Sequence, residues 1–266
     1  MWLFFIGGVY MKKFIPLIFT AIMLLCSMPV MATSSPTNIA RVDITLNGTT
    51  LKEINSGSKD TKYPGNTVKI TKPDGTVDVL AENTVEVKGR GNSTWKMPKK
   101  PYQIKFDSKT KVLGMAKQKK WCLLANYLDG SMMRNKLVYD MGREMGLTGS
   151  PDSQFVDLYV DGEYQGSYLL CQKIDAGSSG CNLGNDGIIV ELDNMYYAEE
   201  DYWFKGKYCN GYFTLKECNN EDNQEAIFDA FKSEVDSFET ALYAKNKDWE
   251  TISSYIDEES FVKMYL

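Results

Sequence analysis

Between residues 39 and 192 the chain is broken into short runs that alternate apolar and polar side chains, and glycine-bearing turn dipeptides separate several of them. Side chains on a strand point to opposite faces with a period of two, so such alternation fits half-buried strands rather than helices. Residues 39–46 alternate and end at Asn47-Gly48, a hairpin signal. Residues 68–70 and 77–80 flank Pro73-Asp74-Gly75, a second such signal, and 155–160 and 164–172 flank a third, Asp161-Gly162. Residues 85–88, 102–106 and 187–192 read as further strands, 121–125 is a short wholly apolar run, and 175–186, rich in Gly, Ser and Asn, reads as a loop. The chain is therefore expected to be mainly β over its first hundred or so residues after the N-terminal segment.

Helical periodicity enters twice. After residue 129, Leu137, Met141 and Met145 recur at i, i+4, i+8, with Asp129 or Ser131 available as a cap and Gly146 as a stop. From about 224 to 244, Ile227, Phe231, Val235, Phe238 and Leu242 follow a 3.6-residue period. A short helix is expected over 248–255, then another capped by Asp257 and carrying Phe261, Met264, Tyr265 and Leu266. That last segment is apolar and has no C-cap or polar tail, so the sequence predicts a chain that stops inside a domain.

Lys12 and Lys13, the apolar run 14–26 and Val30-Met31-Ala32 have the layout of a secretory signal, with Met11 as the start and cleavage before Thr33. The run is short for a bilayer span, and no later segment is long and apolar enough, so a secreted or cell-surface protein without a membrane span is expected. The segments expected are 1–32 as signal, 33–40 as leader, 41–222 as a β-rich part and 223–266 as an incomplete helical part. Five cysteines follow the signal: Cys122, Cys171, Cys181, Cys209 and Cys218. Export permits disulfides, and 171–181 and 209–218 would each close a short loop, but connectivity stays open.

The formal net charge of −5 hides a polarity. Residues 85–120 hold 11 Lys/Arg against 2 Asp/Glu, and residues 186–266 hold 19 acids against 7 bases. The basic block is either a solvated face or a seat for an anion. Net acidity and export disfavour nucleic acid as a partner. The chain has no histidine, which excludes Ser-His-Asp and Cys-His nucleophile systems and a histidine base. It has no C-x2-C pair either, so no metal site is expected.

Within the basic block, Gly89-Arg90-Gly91-Asn92 is a sharp turn able to present N–H groups, and Arg90 offers a planar fork suited to phosphate oxygens. It lacks the G-x-x-x-x-G-K-[ST] pattern. Lys99, Lys100 and Lys105 lie on or beside a strand and are each either solvated or aimed at an anion. Arg134 and Asn135 lie on the first helix, where they face a ligand, another lobe or solvent.

Three stretches carry a resemblance. The first is Val87-Lys88-Gly89-Arg90-Gly91-Asn92-Ser93-Thr94-Trp95-Lys96 leading to Lys99-Lys100-Pro101-Tyr102-Gln103-Ile104-Lys105-Phe106. The second is Lys120-Trp121-Cys122-Leu123-Leu124-Ala125-Asn126-Tyr127-Leu128-Asp129-Gly130-Ser131, then Met133-Arg134-Asn135-Lys136-Leu137 and Asp140. The third is Phe155-Val156-Asp157-Leu158-Tyr159-Val160-Asp161-Gly162-Glu163-Tyr164-Gln165-Gly166, then Ser167-Tyr168-Leu169-Leu170. In order, spacing and residue type they resemble the CotH kinase family of spore-coat-protein-H-like atypical protein kinases. The resemblance implies an α+β, kinase-like fold with a β-rich N-lobe and the start of a helical C-lobe. It implies ATP and Mg²⁺ as cofactors of the complete protein and Ser/Thr of envelope or spore-coat-type proteins as acceptors. It points to Arg90, Asn92, Lys99, Lys100, Lys105, Arg134 and Asn135 as nucleotide contacts, with Arg90 and Lys100 foremost. The family's catalytic Asp and Asn, and its later metal-binding Asp, fall beyond residue 266, so this chain alone is expected not to turn over. Where relatives often carry Glu, this chain has Gln172. That departure keeps open a non-catalytic adhesin or coat protein on the same fold. A carbohydrate-binding module, with Trp95, Trp121, Trp203 and Trp249 stacking on sugars, is a further alternative.

Overall fold

The computed structural model describes residues 38–177 and 181–265. The expected signal, the expected start at Met11 and most of the expected leader lie outside the described residues. The remainder is α+β, with a strand-rich barrel followed by a smaller sheet and helices.

The barrel strands are β1 (Ala40–Thr45), β2 (Tyr63–Thr71), β3 (Val77–Gly89), β4 (Tyr102–Val112), β5 (Met115–Leu124), β6 (Ser153–Val160) and β7 (Glu163–Gln172). They close in the order β1-β2-β3-β4-β5-β7-β6. Every neighbour pair is antiparallel except β1 with β6, whose parallel pairing shuts the barrel. Inward-facing side chains fill the interior: Val42, Ile44, Val68, Ile70, Val85, Val87, Ile104, Trp121, Leu123, Val156, Leu158 and Leu170. Because the barrel is closed, strand edges are not left as templates for aggregation.

The apolar run 121–125 does not alternate because β5 is covered on both faces. Trp121 and Leu123 point into the barrel, while Cys122 and Leu124 form a separate cluster with Leu169 and Cys171 on the outside, covered by Tyr139. Tyr139 lies on helix α2 (Arg134–Glu144). Trp121 is fully buried and its indole N–H donates to Gln118 O at 3.1 Å, so it is a core residue and no platform for a sugar.

The turn dipeptides differ in outcome. Asp161 and Gly162 have φ of 50° and 83° and join β6 to β7 as the two-residue, left-handed hairpin turn expected. Gly75, at φ 85°, closes β2–β3 as predicted. Asn47-Gly48 does not close a hairpin: β1 and β2 are antiparallel neighbours, but helix α1 (Leu51–Ser56) stands between them. Thr50 accepts from Glu53 N at 3.2 Å and donates its own N–H to Glu53 Oε2 at 2.9 Å, a capping box that sets the helix start.

Past the barrel, β8 (Ile188–Leu192), β9 (Trp203–Lys205) and β10 (Tyr212–Cys218) form a sheet in the order β8-β10-β9. Of these three strands, the sequence pattern predicts β8 alone. The long helix α3 (Gln224–Leu242) packs Phe228, Phe231 and Val235 on this sheet, against Phe204 and Leu215. Helices α4 (Trp249–Ser253) and α5 (Glu258–Tyr265) follow where expected, capped by Asp248 and Asp257. Phe261, Val262, Met264 and Tyr265 on α5 are exposed. Among the described residues, no helix is long and apolar enough to cross a membrane.

Cys122, Cys171, Cys181, Cys209 and Cys218 are free thiols in this structure. A link between Cys209 and Cys218 is ruled out by geometry. Cys209 lies in the turn before β10 and Cys218 at the strand's far end, roughly 20 Å away at about 3.3 Å per residue.

Candidate anion-binding cleft

The site begins with the turn after β3. Gly89 admits the Trp95 ring, whose Cη2 stands 2.6 Å from where a Cβ would lie, and Gly91 adopts φ 82°. No other residue type meets both demands without strain. The Arg90 N–H donates to Pro101 O at 3.2 Å, so it does not face a ligand. What the turn presents is the Arg90 side chain, half-buried in the cleft wall.

Opposite stands the segment between β5 and α2. Asn126 takes a left-handed φ of 49°. Its side-chain N–H donates to Met132 O at 2.9 Å and its Oδ1 accepts from Asn135 at 2.8 Å. Asp129 accepts from Ser131 N at 3.0 Å, Ser131 Oγ at 2.7 Å and Arg134 N at 2.9 Å, and its carboxylate lies 3.4 Å from the Arg134 guanidinium. These bonds, the Ser131 hydroxyl foremost, hold the Asp129 carboxyl below the usual carboxylate range. The cap position of α2 falls on Met133, which makes no side-chain cap bond, and not on Asp129 or Ser131 as the sequence indicated; Asp129 reaches the helix start only by accepting from Arg134 N.

Between these two segments lies a cavity of about 390 Å³ walled by Arg90, Lys99, Asn126, Asp129, Arg134, Asn135 and Tyr139, with Tyr127 and Leu128 also in its wall. A second cavity of about 640 Å³ shares Arg90 and Tyr139 with it and adds Cys122, Cys171, Lys173, Lys216, Glu191, Glu200 and Glu217. Both volumes fall in the range of small-molecule sites. Desolvation pushes the Tyr139 phenol up to about 12, so it stays protonated at neutral pH.

The structure sorts the predicted contacts. Arg90, Lys99, Arg134 and Asn135 share the smaller cavity. Lys99 donates to Ser167 O and lies 4.4 Å from the Tyr168 ring centroid, and burial lowers its pKa. Lys100 is in neither wall; it donates to Trp95 O and sits 5.0 Å from the Trp95 ring. Asn92 lies outside both walls, its carbonyl accepting from Trp95 N at 3.3 Å. Lys105, paired in register with Glu86 and Lys120, also lies outside them. Asp140, the acid nearest the middle of α2, binds Lys136 one turn back rather than a strand lysine.

Gln172 has a structural task. Its Oε1 accepts from Asp152 N at 3.0 Å and its Nε2 donates to Ala116 O at 3.0 Å. An ionised Glu cannot make the second bond. Sequence reasoning missed Tyr139 and the Cys122–Cys171 juxtaposition. Tyr139 was discoverable, because it lies four residues after Asn135 and so on the same helix face. The stripe that was read instead, Leu137 and Met141, is exposed.

A strand-rich barrel followed by a smaller sheet and helices, with Arg90, Lys99 and Arg134 lining one cleft, defines an α+β protein. The family model described as CotH kinase protein matches residues 87–266, so the chain belongs to the CotH kinase protein family. That span includes the described wall residues of both cavities. The chain is also 33% identical, over 117 residues, to the inner spore coat protein H of Bacillus subtilis (strain 168). The alignment covers 44% of this chain and 30% of the length of that relative.

Proposed function

We propose that the cleft between Arg90, Lys99 and Arg134 receives the polyphosphate of ATP. In this reading the complete domain is an exported atypical kinase that transfers phosphate to Ser or Thr of envelope or spore-coat-type proteins. The barrel would be its N-lobe, and the helices from residue 224 would begin a helical C-lobe. Membership of the CotH kinase protein family supports this, as does the likeness to an inner spore coat protein.

The observation that carries the proposal is the convergence of Arg90 and Lys99 on one cavity wall. A guanidinium and a partly desolvated ammonium hold phosphate oxygens more tightly than water-exposed charges do. Protein kinases place phosphates by such fixed cations and leave the chemistry to orientation and metal. For Mg²⁺ the residues present do not fit. Among the described residues no group of three or more Asp, Glu, Cys or His converges, and the Asp129 oxygens already accept from Ser131 and Arg134. No step is therefore assigned to a metal within this chain.

The test is calorimetric titration of the full chain with ATP and, separately, with adenosine. ATP is expected to bind at least tenfold more tightly than adenosine, and Arg90→Ala to weaken ATP by about 10- to 100-fold, the worth of one charged hydrogen bond. Equal affinity for ATP and adenosine would remove the phosphate-site reading.

A further inference from the structure

Cys122 and Cys171 stand directly opposite each other in the antiparallel β5–β7 pair. Residues so placed have Cα atoms about 4.5–5.5 Å apart, inside the window that a disulfide requires. Both side chains lie on the outer face of the barrel in one small apolar cluster with Leu124 and Leu169, close enough for each thiol to shift the ionisation of the other. Each residue is only 3% exposed, yet both belong to the wall of the cavity of about 640 Å³.

We infer that Cys122 and Cys171 form a reversible dithiol–disulfide couple in the cleft wall, oxidised by exchange with a low-molecular-weight disulfide. The electrostatics assign the roles. The Cys171 thiol, then Arg90, Lys173 and Lys88, lower the Cys122 pKa, so Cys122 is the first to ionise; Arg90 acts on Cys171 in the same sense. The neighbouring Cys122, together with burial, holds the Cys171 thiol above its ordinary value. Tyr139 faces the pair from α2 as a neutral phenol, and Lys216, Glu191, Glu200 and Glu217 stand in the wall of the same cavity.

In the first step the Cys122 thiolate attacks one sulfur of the reagent disulfide. The reagent S–S bond breaks, a mixed disulfide forms on Cys122 and one reagent thiolate leaves. In the second step Cys171 gives up its proton and its thiolate attacks the Cys122 sulfur. The mixed disulfide breaks, the second reagent thiolate leaves, and the released protons are taken up by the two leaving thiolates or by buffer. Two cysteine thiols are oxidised to one disulfide while one reagent disulfide is reduced to two thiols.

The experiment uses the full chain, reduced with a phosphine that is then removed, and glutathione disulfide as the probe. Remaining thiols are alkylated and the protein is mapped by mass spectrometry. The expected product is a Cys122–Cys171 cross-linked peptide that dithiothreitol reverses. Cys171→Ser should trap glutathione on Cys122, whereas Cys122→Ser should leave Cys171 reacting about tenfold more slowly. The inference is overturned if both wild-type thiols remain alkylatable under probe excess, or if either one pairs instead with Cys181, Cys209 or Cys218. The cross-link map of the wild-type chain decides the matter even if a serine variant fails to fold, and it does not depend on nucleotide binding.

Discussion

The Asn135 side-chain amide donates to Asn126 Oδ1 at 2.8 Å, tying the first turn of α2 to the residue that leaves β5. Asn126 can take its left-handed φ of 49° because its short amide side chain bonds locally, here to Met132 O. Removing the Asn135 amide by Asn135→Ala should cost about 1 kcal/mol of unfolding free energy. Asn126→Ala loses both side-chain bonds and leaves a non-glycine residue in a strained region, and should cost about 2–3 kcal/mol. Urea unfolding of both variants and of the double variant checks this. The double variant should fall short of the sum, because the two residues share a bond.

Lys99 and Lys100 are adjacent in sequence and differ in task. Lys99 lines the cleft, while Lys100 is held on Trp95 outside it. Lys99→Ala should weaken ATP binding by about tenfold, one charged contact. Lys100→Ala should leave affinity within about twofold and lower stability instead, by about 1 kcal/mol. Titration calorimetry and urea unfolding on the same pair of proteins separate the two effects.

Asn66 is fully buried where the β2–β3 register shifts, and no water is needed to satisfy it. It donates to Tyr63 O at 2.6 Å and Val85 O at 3.1 Å and accepts from Asn47 N at 3.0 Å. Asn66→Leu should therefore destabilise the barrel by about 2–4 kcal/mol, since it orphans buried backbone groups while adding apolar volume. Thermal or urea unfolding measures it.

The ionisation of Cys122 is favoured first by the Cys171 thiol and next by the positive charge of Arg90. Arg90→Gln removes that charge and so raises the Cys122 pKa. The thiolate fraction at a given neutral pH then falls. The pH profile of Cys122 alkylation in Arg90→Gln should move to higher pH than in wild type, and Lys100→Gln should leave the profile in place.

Most barrel strands were legible because each buries one face, so period-two alternation survives in the sequence. The features that escaped were those that local pattern does not encode. Helix α1 carries its capping box in plain view at Thr50 and Glu53, but it is only six residues long and follows a strong hairpin dipeptide. Strand β9 has three residues, too few for any period. The α2 stripe misled because Leu137 and Met141 face outward, while Tyr139 packs on the barrel and Gly142 is buried against Ser150. At the site, the resemblance put Arg90 and Lys100 foremost; the fold keeps Arg90 in the cleft wall but holds Lys100 on Trp95 outside it, and Lys99 lines the cleft instead. Only the fold separates Lys99 from Lys100, and only the β5–β7 register brings Cys122 to Cys171, 49 positions along the chain.

The central claim is that Arg90 and Lys99 hold phosphate. A crystal structure of the chain with a non-hydrolysable ATP analogue tests it most directly. The account predicts phosphate oxygens within about 3 Å of the Arg90 guanidinium and the Lys99 ammonium. An analogue bound elsewhere, with both side chains left as they are in the ligand-free chain, would contradict it.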